Sequence, residues 1–389
     1  MTGFVLQLKH FMNIVWPSGL IRRNNTMNHS LGIMTLTPEV KNEYFLEIAK
    51  QSLSYPIDLY LFSPQGISPL NETVEGFHFD RMTGEWEKDA FEIPEYIYDR
   101  TYYQKDMKSR QARAVVQWLK NQKHIRFLGY GLPNKWHLYE KLKQTSLAPY
   151  IPVTSLVSDG KHLLNLLLKH KDIIIKPVDG AHGFAVYHLV FNQQSIVVRT
   201  TKKQGIIEQS FPNEDVFLKW VDHMLKVHTF ICQKRLPNLT KGNAPFDMRI
   251  LLNKDHKGEW REFQRAIRQG VENGILTNIS RGASYLSYKE WKDSRDSHAW
   301  DFIDEELTSI LEEVPILLEK HFSPLFEIGV DLIIGDDHSL WILDLNSKPG
   351  HKVVDALHPG KLSTLYQAPL DYCDFLSSQS LSSLRRGDF

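Results

Sequence analysis

The chain has 389 residues, 42% hydrophobic and 24% charged, the composition of an ordinary globular protein with room for roughly one large core or a few smaller ones. Lys plus Arg and Asp plus Glu both total 46, and this even balance argues against nucleic acid as the main partner. Cys232 and Cys373 give neither a disulfide framework nor a zinc spacing, so a reducing, cytoplasmic setting is the default, and no apolar run approaches the length of a membrane span.

Along the chain, Phe4 to Leu20 is mildly apolar but broken by Lys9, His10, Asn13 and Pro17. It lacks the order of charged end, apolar core and small-residue cleavage site. Residues 1–27 are therefore expected to be an extension or first strand, not a signal peptide. Ser30 to Thr35 reads as a strand, and Thr37-Pro38-Glu39 as a helix start, with Tyr44, Phe45, Ile48 and Ala49 following at helical spacing. Ile57 to Phe62 reads as a strand stopped by Ser63-Pro64, and Pro94 to Arg100 as another carrying a polar tip. This order predicts an α/β front domain over 28–110. Helices are expected over 108–123 and, after Asn134-Lys135, over 136–142, with Pro149 and Pro152 bracketing an extended link. From Ile173 strands alternate with long helices to about 365, the last strong stripe being Leu307, Ile310, Leu311, Val314 and Leu318. The Ser-rich stretch 366–389 reads as a partly mobile tail.

Three segments carry chemistry. Ile173 to Pro177 is a strand ending in Lys176, followed by Asp179-Gly180-Ala181-His182-Gly183 and a second strand, Phe184 to Val190. A glycine loop lets backbone N–H groups approach phosphates, and a nearby lysine neutralises their charge. The spacing is not that of a P-loop, and taken alone an ordinary hairpin turn explains these residues as well. Next come Phe230 to Leu236, an apolar strand turning polar at its end, and Phe246-Asp247-Met248-Arg249, with Thr277 to Ala283 some thirty residues on.

The third segment, Gly329 to Gly350, reads as a hairpin around Gly335-Asp336-Asp337-His338. With the turn centred on Asp336-Asp337, Asp331 lies opposite Ile342 and diagonal to Asp344. Asp331, Asp344 and Asn346 then share one face, and Leu332, Ile334, Trp341, Leu343 and Leu345 form the apolar other. Three oxygen-bearing side chains beside a packed hairpin suit Mg²⁺, which completes its octahedron with water and phosphate oxygens. The alternative is a solvated hairpin whose acidic residues face water.

Asp344-Leu345-Asn346-Ser347-Lys348-Pro349-Gly350 resembles the closing metal motif of the ATP-grasp superfamily, with Asp331 matching its earlier acidic ligand. Asn134-Lys135-Trp136, Phe246 to Arg249, Asn278-Ile279-Ser280-Arg281-Gly282, Leu31 to Met34 and Tyr98-Asp99-Arg100 extend the match. Together they make the chain similar to the YheC/YheD family, endospore coat-associated ATP-grasp proteins.

The resemblance implies an α/β ATP-grasp fold over 111–365, with a pre-ATP-grasp front domain and a hinge near 233–236. It implies ATP with its adenine at Gln233, Lys234 and Leu236, its ribose near Asp247, and its phosphates under Gly180 to Gly183 between Lys135 and Lys176. Asp331, Asp344 and Asn346 would hold Mg²⁺, Mn²⁺ being the alternative ion. Arg268 and Arg281, the latter beside Asn278, would stabilise the transferring phosphate. Asp344 stands where most relatives have Glu, which leaves the number of metal ions open.

The activity implied is an ATP- and Mg²⁺-dependent carboxylate–amine ligase working through an acyl-phosphate. Its partners are a small-molecule or peptide carboxylate and an amine acceptor. A kinase using His182 or His351 as base and a weakly active spore-coat scaffold are the alternatives. On the residues alone, both histidines read more readily as unpaired surface groups. Arg100 is a candidate carboxylate anchor in the front domain, although a surface charge pair with Asp99 is the preferred reading. Sporulation and coat association come only from the resemblance, and homo-oligomer or monomer is left open.

Overall fold

Three β-sheets, each with helices against one face or both, build the chain. The computed structural model describes residues 28–386 apart from 181–183, 193–194, 203–204, 237, 241, 276, 278–281 and 295–299. The expected N-terminal extension therefore lies outside the described residues.

The first sheet holds β1 (His29–Met34), β2 (Ile57–Ser68), β3 (Thr73–Asp80), β4 (Glu85–Glu92), β5 (Tyr96–Asp99) and β6 (Arg126–Phe127), in the order β4-β3-β2-β1-β5-β6. β1 pairs in parallel with β2 and β5, while β2 to β4 form an antiparallel meander. The crossover helices are α1 (Glu43–Ser52) and α2 (Met107–Lys120). α1 starts later than Thr37-Pro38-Glu39 suggests, because Asn42 caps it by accepting from the Phe45 N–H. β2 does not stop at Ser63-Pro64. It runs on to Ser68, and the proline falls in the register shift between Phe62 and Ile67, where its missing N–H breaks no ladder bond.

The second sheet follows α3 (Lys135–Leu142). It holds β7 (Thr154–Leu156), β8 (Asp172–Pro177), β9 (Tyr187–Phe191), β10 (Ile196–Lys202), β11 (Gly205–Phe211) and β12 (Phe230–Lys234), in the order β11-β10-β9-β8-β12-β7, every neighbouring pair antiparallel. Two helices, α4 (Gly160–His170) and α5 (Glu214–Val227), cover one face, where Leu163, Leu167, Phe217 and Val221 pack on Ile173, Ile175 and Val198. Alternation along β8 therefore buries Ile173 and Ile175 under the helices and turns Ile174 and Lys176 the other way.

The third sheet holds β13 (Phe246–Lys254), β14 (Trp260–Gln269), β15 (Ser284–Ser287), β16 (Glu327–Ile334) and β17 (Leu340–Asn346), in the order β15-β14-β13-β16-β17. Between β15 and β16 run α6 (Tyr288–Asp293) and α7 (Trp300–His321). The predicted stripe of α7 packs Ile310, Leu311, Val314 and Leu318 on Met248, Ile250, Leu252, Ile328 and Val330. Each such side chain stabilises the fold by about 1.5–3 kcal/mol relative to exposure. Alternation leaves Asp247, Arg249, Arg268 and Asp331 on the face away from α7.

After α8 (Lys352–Leu357) comes α9 (Leu362–Arg386). The stretch expected as a mobile tail is thus a helix that returns to the first sheet and packs Ala368, Leu370, Tyr372 and Cys373 among Leu31, Ile33, Ile48 and Ala49. Its serines mislead because they suggest a loose segment, although apolar residues recur through 365–376 and Ser377 is itself buried.

Candidate functional site

A cavity of about 410 Å³ opens between the second and third sheets, lined among others by Lys135, Lys176, Gln233, Asp247, Arg268 and Asp344. Gly180, Lys234, Leu236, Asp331 and Asn346 also reach its wall. The sequence-derived site thus converges on one place, as far as it is described. Gly183, Asn278, Arg281 and His182 lie outside the described residues.

The hairpin Gly329 to Gly350 gets there by an unexpected register. The Gly335 N–H donates to the Ser339 carbonyl over 2.8 Å and the His338 N–H to the Gly335 carbonyl over 3.0 Å, with His338 in the left-handed region at φ 66°. The loop is therefore the three residues Asp336-Asp337-His338. Ile334 pairs with Leu340 and Leu332 with Ile342, so Asp331 is not opposite Ile342. A bulge then leaves Leu343 unpaired and sets Asp331 against Asp344, and Gly329 against Asn346. The core-facing set on β17 is consequently Leu340, Ile342 and Leu345, whereas Trp341 and Leu343, expected there, are only partly buried. Leu343 lines the cavity and its carbonyl accepts from Lys176 Nζ over 2.8 Å.

Charge is tightly organised on this face. Asp344 receives both its oxygens' contacts from Lys135 Nζ, at the first turn of α3 where Asn134 caps the helix. Burial pushes Asp344 up, but Lys135 and Lys176 overcome it and hold the carboxyl below the usual range. Burial pulls Lys176 down to about 8, against the attraction of Asp344 and with Lys135 adding repulsion.

Arg268 donates to both oxygens of Asp247 over 2.7 Å, and its Nη2 lies 3.0 Å from Asp331 Oδ2. Burial disfavours its charge, yet these two carboxylates keep it firmly protonated. Asp247, expected near the ribose, has Thr277 as a further donor, so both of its oxygens serve to orient Arg268.

Sequence reasoning passed over Arg249. Its Nε sits 3.0 Å from Asp331 Oδ1, yet Asp331 Oδ1 and Arg249 Nη1 are buried without a hydrogen-bond partner among the described residues. Burial lowers the Arg249 pKa, against the pull of Asp331. The signal was available, because Asp247 and Arg249 are two apart on one strand and must share a face. Gly329 is required beneath it, since a Cβ there would lie 2.6 Å from Arg249 Nη1 and 2.9 Å from Pro349 Cβ.

Gln233 donates its amide N–H to Thr154 Oγ1 over 2.8 Å, between the paired strands β12 and β7 of the second sheet. Asp99 and Arg100 are not a surface pair. Both are buried, Asp99 2.7 Å from Lys348 Nζ and Arg100 against Glu327. His351 is likewise no free surface group, its Nε2 lying 3.0 Å from Glu327 Oε2.

For a divalent cation the fit is reasonable. Asp331, Asp344 and Asn346 offer an all-oxygen set on adjacent strands, and the orphaned Asp331 Oδ1 is an acceptor in want of a partner. Among the described residues no group of three or more His, Cys, Asp or Glu gathers, so an ion here would draw much of its shell from elsewhere.

Two sheets gripping a cavity, with Lys176 on one, paired carboxylates and arginines on the other and Lys135 at the start of α3, make the architecture that of an ATP-grasp protein. Solved structures share it at fold level. D-cycloserine synthetase DcsG matches with a TM-score of 0.52 and 12% identity over 87% of this chain and 98% of its own. D-alanyl-alanine synthetase A from Vibrio cholerae O1 matches at 0.51 and 9% over 90% and 100%. Endospore coat-associated protein YheC of Bacillus subtilis (strain 168) is 33% identical over 351 residues, 90% of this chain and 96% of that protein. Residues 124–376 match the family described as YheC/D like ATP-grasp, and the chain belongs to that family.

Proposed function

We propose that the chain is an ATP- and Mg²⁺-dependent carboxylate–amine ligase acting through an acyl-phosphate. The observation that carries this reading is the facing of Lys135 and Lys176 with Asp331, Asp344 and Arg268 around a cavity of about 410 Å³, a size suited to a nucleotide. Adenine takes the Gln233 to Leu236 segment, where the Gln233 amide nitrogen is already held by Thr154 and the amide oxygen remains for an amino group. Lys135 and Lys176 meet the phosphates beside Gly180. Asp331, Asp344 and Asn346 hold Mg²⁺, which screens phosphate charge when bound.

The substrate carboxylate attacks the γ-phosphorus, ADP leaves, and an acyl-phosphate forms. The amine then attacks the carbonyl carbon and releases phosphate. Arg268, oriented by Asp247 and Asp331, faces the charge that develops on the transferring phosphoryl group. Arg281 and Asn278 take the same role by family resemblance. The substrates belong to the class of small molecules or peptides bearing a carboxylate, joined to an amine. A hydroxyl kinase is the alternative reading, with His351 buried against Glu327 and His182 outside the described residues.

We also extend coat association to this chain from the name of its Bacillus relative. Among the described residues no helix is long and apolar enough to cross a membrane.

Calorimetric titration with ATP at fixed Mg²⁺, beside Lys176→Ala and Asp331→Ala, tests the site. Mg²⁺-dependent binding weakened in both is expected, followed by ADP release when carboxylate and amine pools are supplied. A folded wild type that binds no ATP would defeat the ligase reading and leave a coat scaffold.

A further inference from the structure

The turn that follows the metal-binding strand is gripped residue by residue from outside the third sheet. Ser347 Oγ accepts from the Leu132 N–H over 3.1 Å. Lys348 reaches into the front domain, its Nζ 2.7 Å from Asp99 Oδ2, 3.0 Å from the Thr101 carbonyl and 3.2 Å from Thr101 Oγ1. The Lys348 carbonyl accepts from the Tyr102 hydroxyl over 3.1 Å, and the Pro349 carbonyl accepts from Arg100 Nη2 over 2.8 Å. The same Arg100 Nη2 lies 2.7 Å from the Tyr102 oxygen, while Nη1 pairs with Glu327. Glu327 in turn takes the Tyr98 hydroxyl over 3.0 Å and His351 Nε2 over 3.0 Å. Four of the five residues 347–351 are thus fixed by a polar contact, two of them, Lys348 and Pro349, through front-domain side chains.

We propose that the front-domain run Asp99-Arg100-Thr101-Tyr102 is a positioning clamp that sets Asp344 and Asn346 for the metal by holding residues 348 and 349. Asn346 lies two residues before Lys348 and pairs with Gly329, whose lack of a Cβ lets Pro349 close over Arg249. A turn pinned at Lys348 and Pro349 leaves β17 little freedom to shift its last two ligands. The bulge at Leu343 makes this necessary, because a strand end beyond an irregular pairing is held by fewer regular ladder bonds. The inference rests on the ligase reading for its consequence, but the grip itself does not.

Tyr102→Phe removes one hydroxyl and leaves every buried charge paired. Arg100→Lys keeps a cation beside Glu327 but loses the fork that reaches Pro349. In the full ligand-free chain, hydrogen exchange at residues 347–351 is expected to speed up in Tyr102→Phe roughly three- to tenfold, as loss of one hydrogen bond implies. At subsaturating ATP the Mg²⁺ or Mn²⁺ concentration for half-maximal binding is expected to rise by a similar roughly three- to tenfold, while ADP binding in EDTA changes by less than about twofold. Should Arg100→Lys fail to fold, Tyr102→Phe alone decides.

Unchanged exchange at 347–351, or an unchanged metal requirement in a folded variant, overturns the clamp. An equal loss of metal-free ADP binding also overturns it, since that is a general loosening and not a positioning effect. A wild type without metal-dependent ATP binding defeats the ligase reading, and with it the metal half of this inference, while the exchange result still stands or falls alone.

Discussion

Lys176 offers the sharpest test, because its charge is held at an unusual point. Burial lowers its pKa from 10.5 to about 8, only partly offset by Asp344. A depression of that size disfavours the charged form by about 3 kcal/mol relative to water. Phosphate oxygens beside the ammonium would return that charge, so ATP binds the protonated form. With a free-protein pKa near 8, about nine-tenths of Lys176 is charged at about pH 7 and about one-tenth at about pH 9. The Kd for ATP should therefore rise about tenfold between those pH values, and near pH 8 each binding event should take up about half a proton. Calorimetry in two buffers of different ionisation enthalpy reads that proton directly.

The sign for folding is opposite. A lysine with a lowered folded-state pKa makes the unfolded chain bind more protons between about 8 and 10.5, so ligand-free stability gains with pH in that window. Both trends should vanish in Lys176→Met. An ATP affinity flat from pH 7 to 9, or the same slope in Lys176→Met, would refute the placement of Lys176 at the phosphates.

Three further outcomes follow from single contacts. Lys135 covers both oxygens of Asp344, so Lys135→Met should tighten nucleotide-free Mn²⁺ binding by electron paramagnetic resonance while weakening ATP binding; weakening of both would count against Asp344 as a ligand. Arg268→Lys loses the two-pronged pairing with Asp247 and should lower stability to urea by about 1–3 kcal/mol, and an unchanged midpoint would show that Asp247 does not depend on the fork. Leu370→Ala opens a cavity between α9 and the first sheet and should cost about 2–5 kcal/mol, whereas a loss well under 1 kcal/mol would favour the loose tail expected from residue 366 onward.

What the sequence disclosed and what it hid divide along a physical line. Local chemistry was legible: Asn134 before α3, the apolar stripe of α7, the alternation that turns Lys176 away from Ile173 and Ile175. The hairpin shows how a shared face can be read from a wrong register. Assuming a two-residue turn centred on Asp336-Asp337 misplaces every pair by one, because His338 in the left-handed region adds a residue to the loop. That slip alone would turn Asp344 and Asn346 to the core. The bulge at Leu343 adds a second single-residue slip, and two slips of one restore the original face. Asp331, Asp344 and Asn346 converge as expected, while Trp341 and Leu343 exchange places with Leu340 and Ile342.

Contacts between distant segments left no such trace. Arg100 finds Glu327 and Pro349 more than two hundred residues away, and α9 finds α1 across most of the chain. Neither partner carries a periodic signal naming the other, so Asp99-Arg100 looked like a neighbouring charge pair when each residue in fact serves the far end of the molecule. The consequence is mechanical as well as descriptive. Both carboxylates of the candidate metal site are held by cations of this chain, Asp344 by Lys135 and Asp331 by Arg249 and Arg268. A divalent ion would have to displace or share those cations, and under the proposed function phosphate would provide the place for Lys135 to go. Metal and nucleotide should then bind with positive coupling, each raising the other's affinity by the same factor.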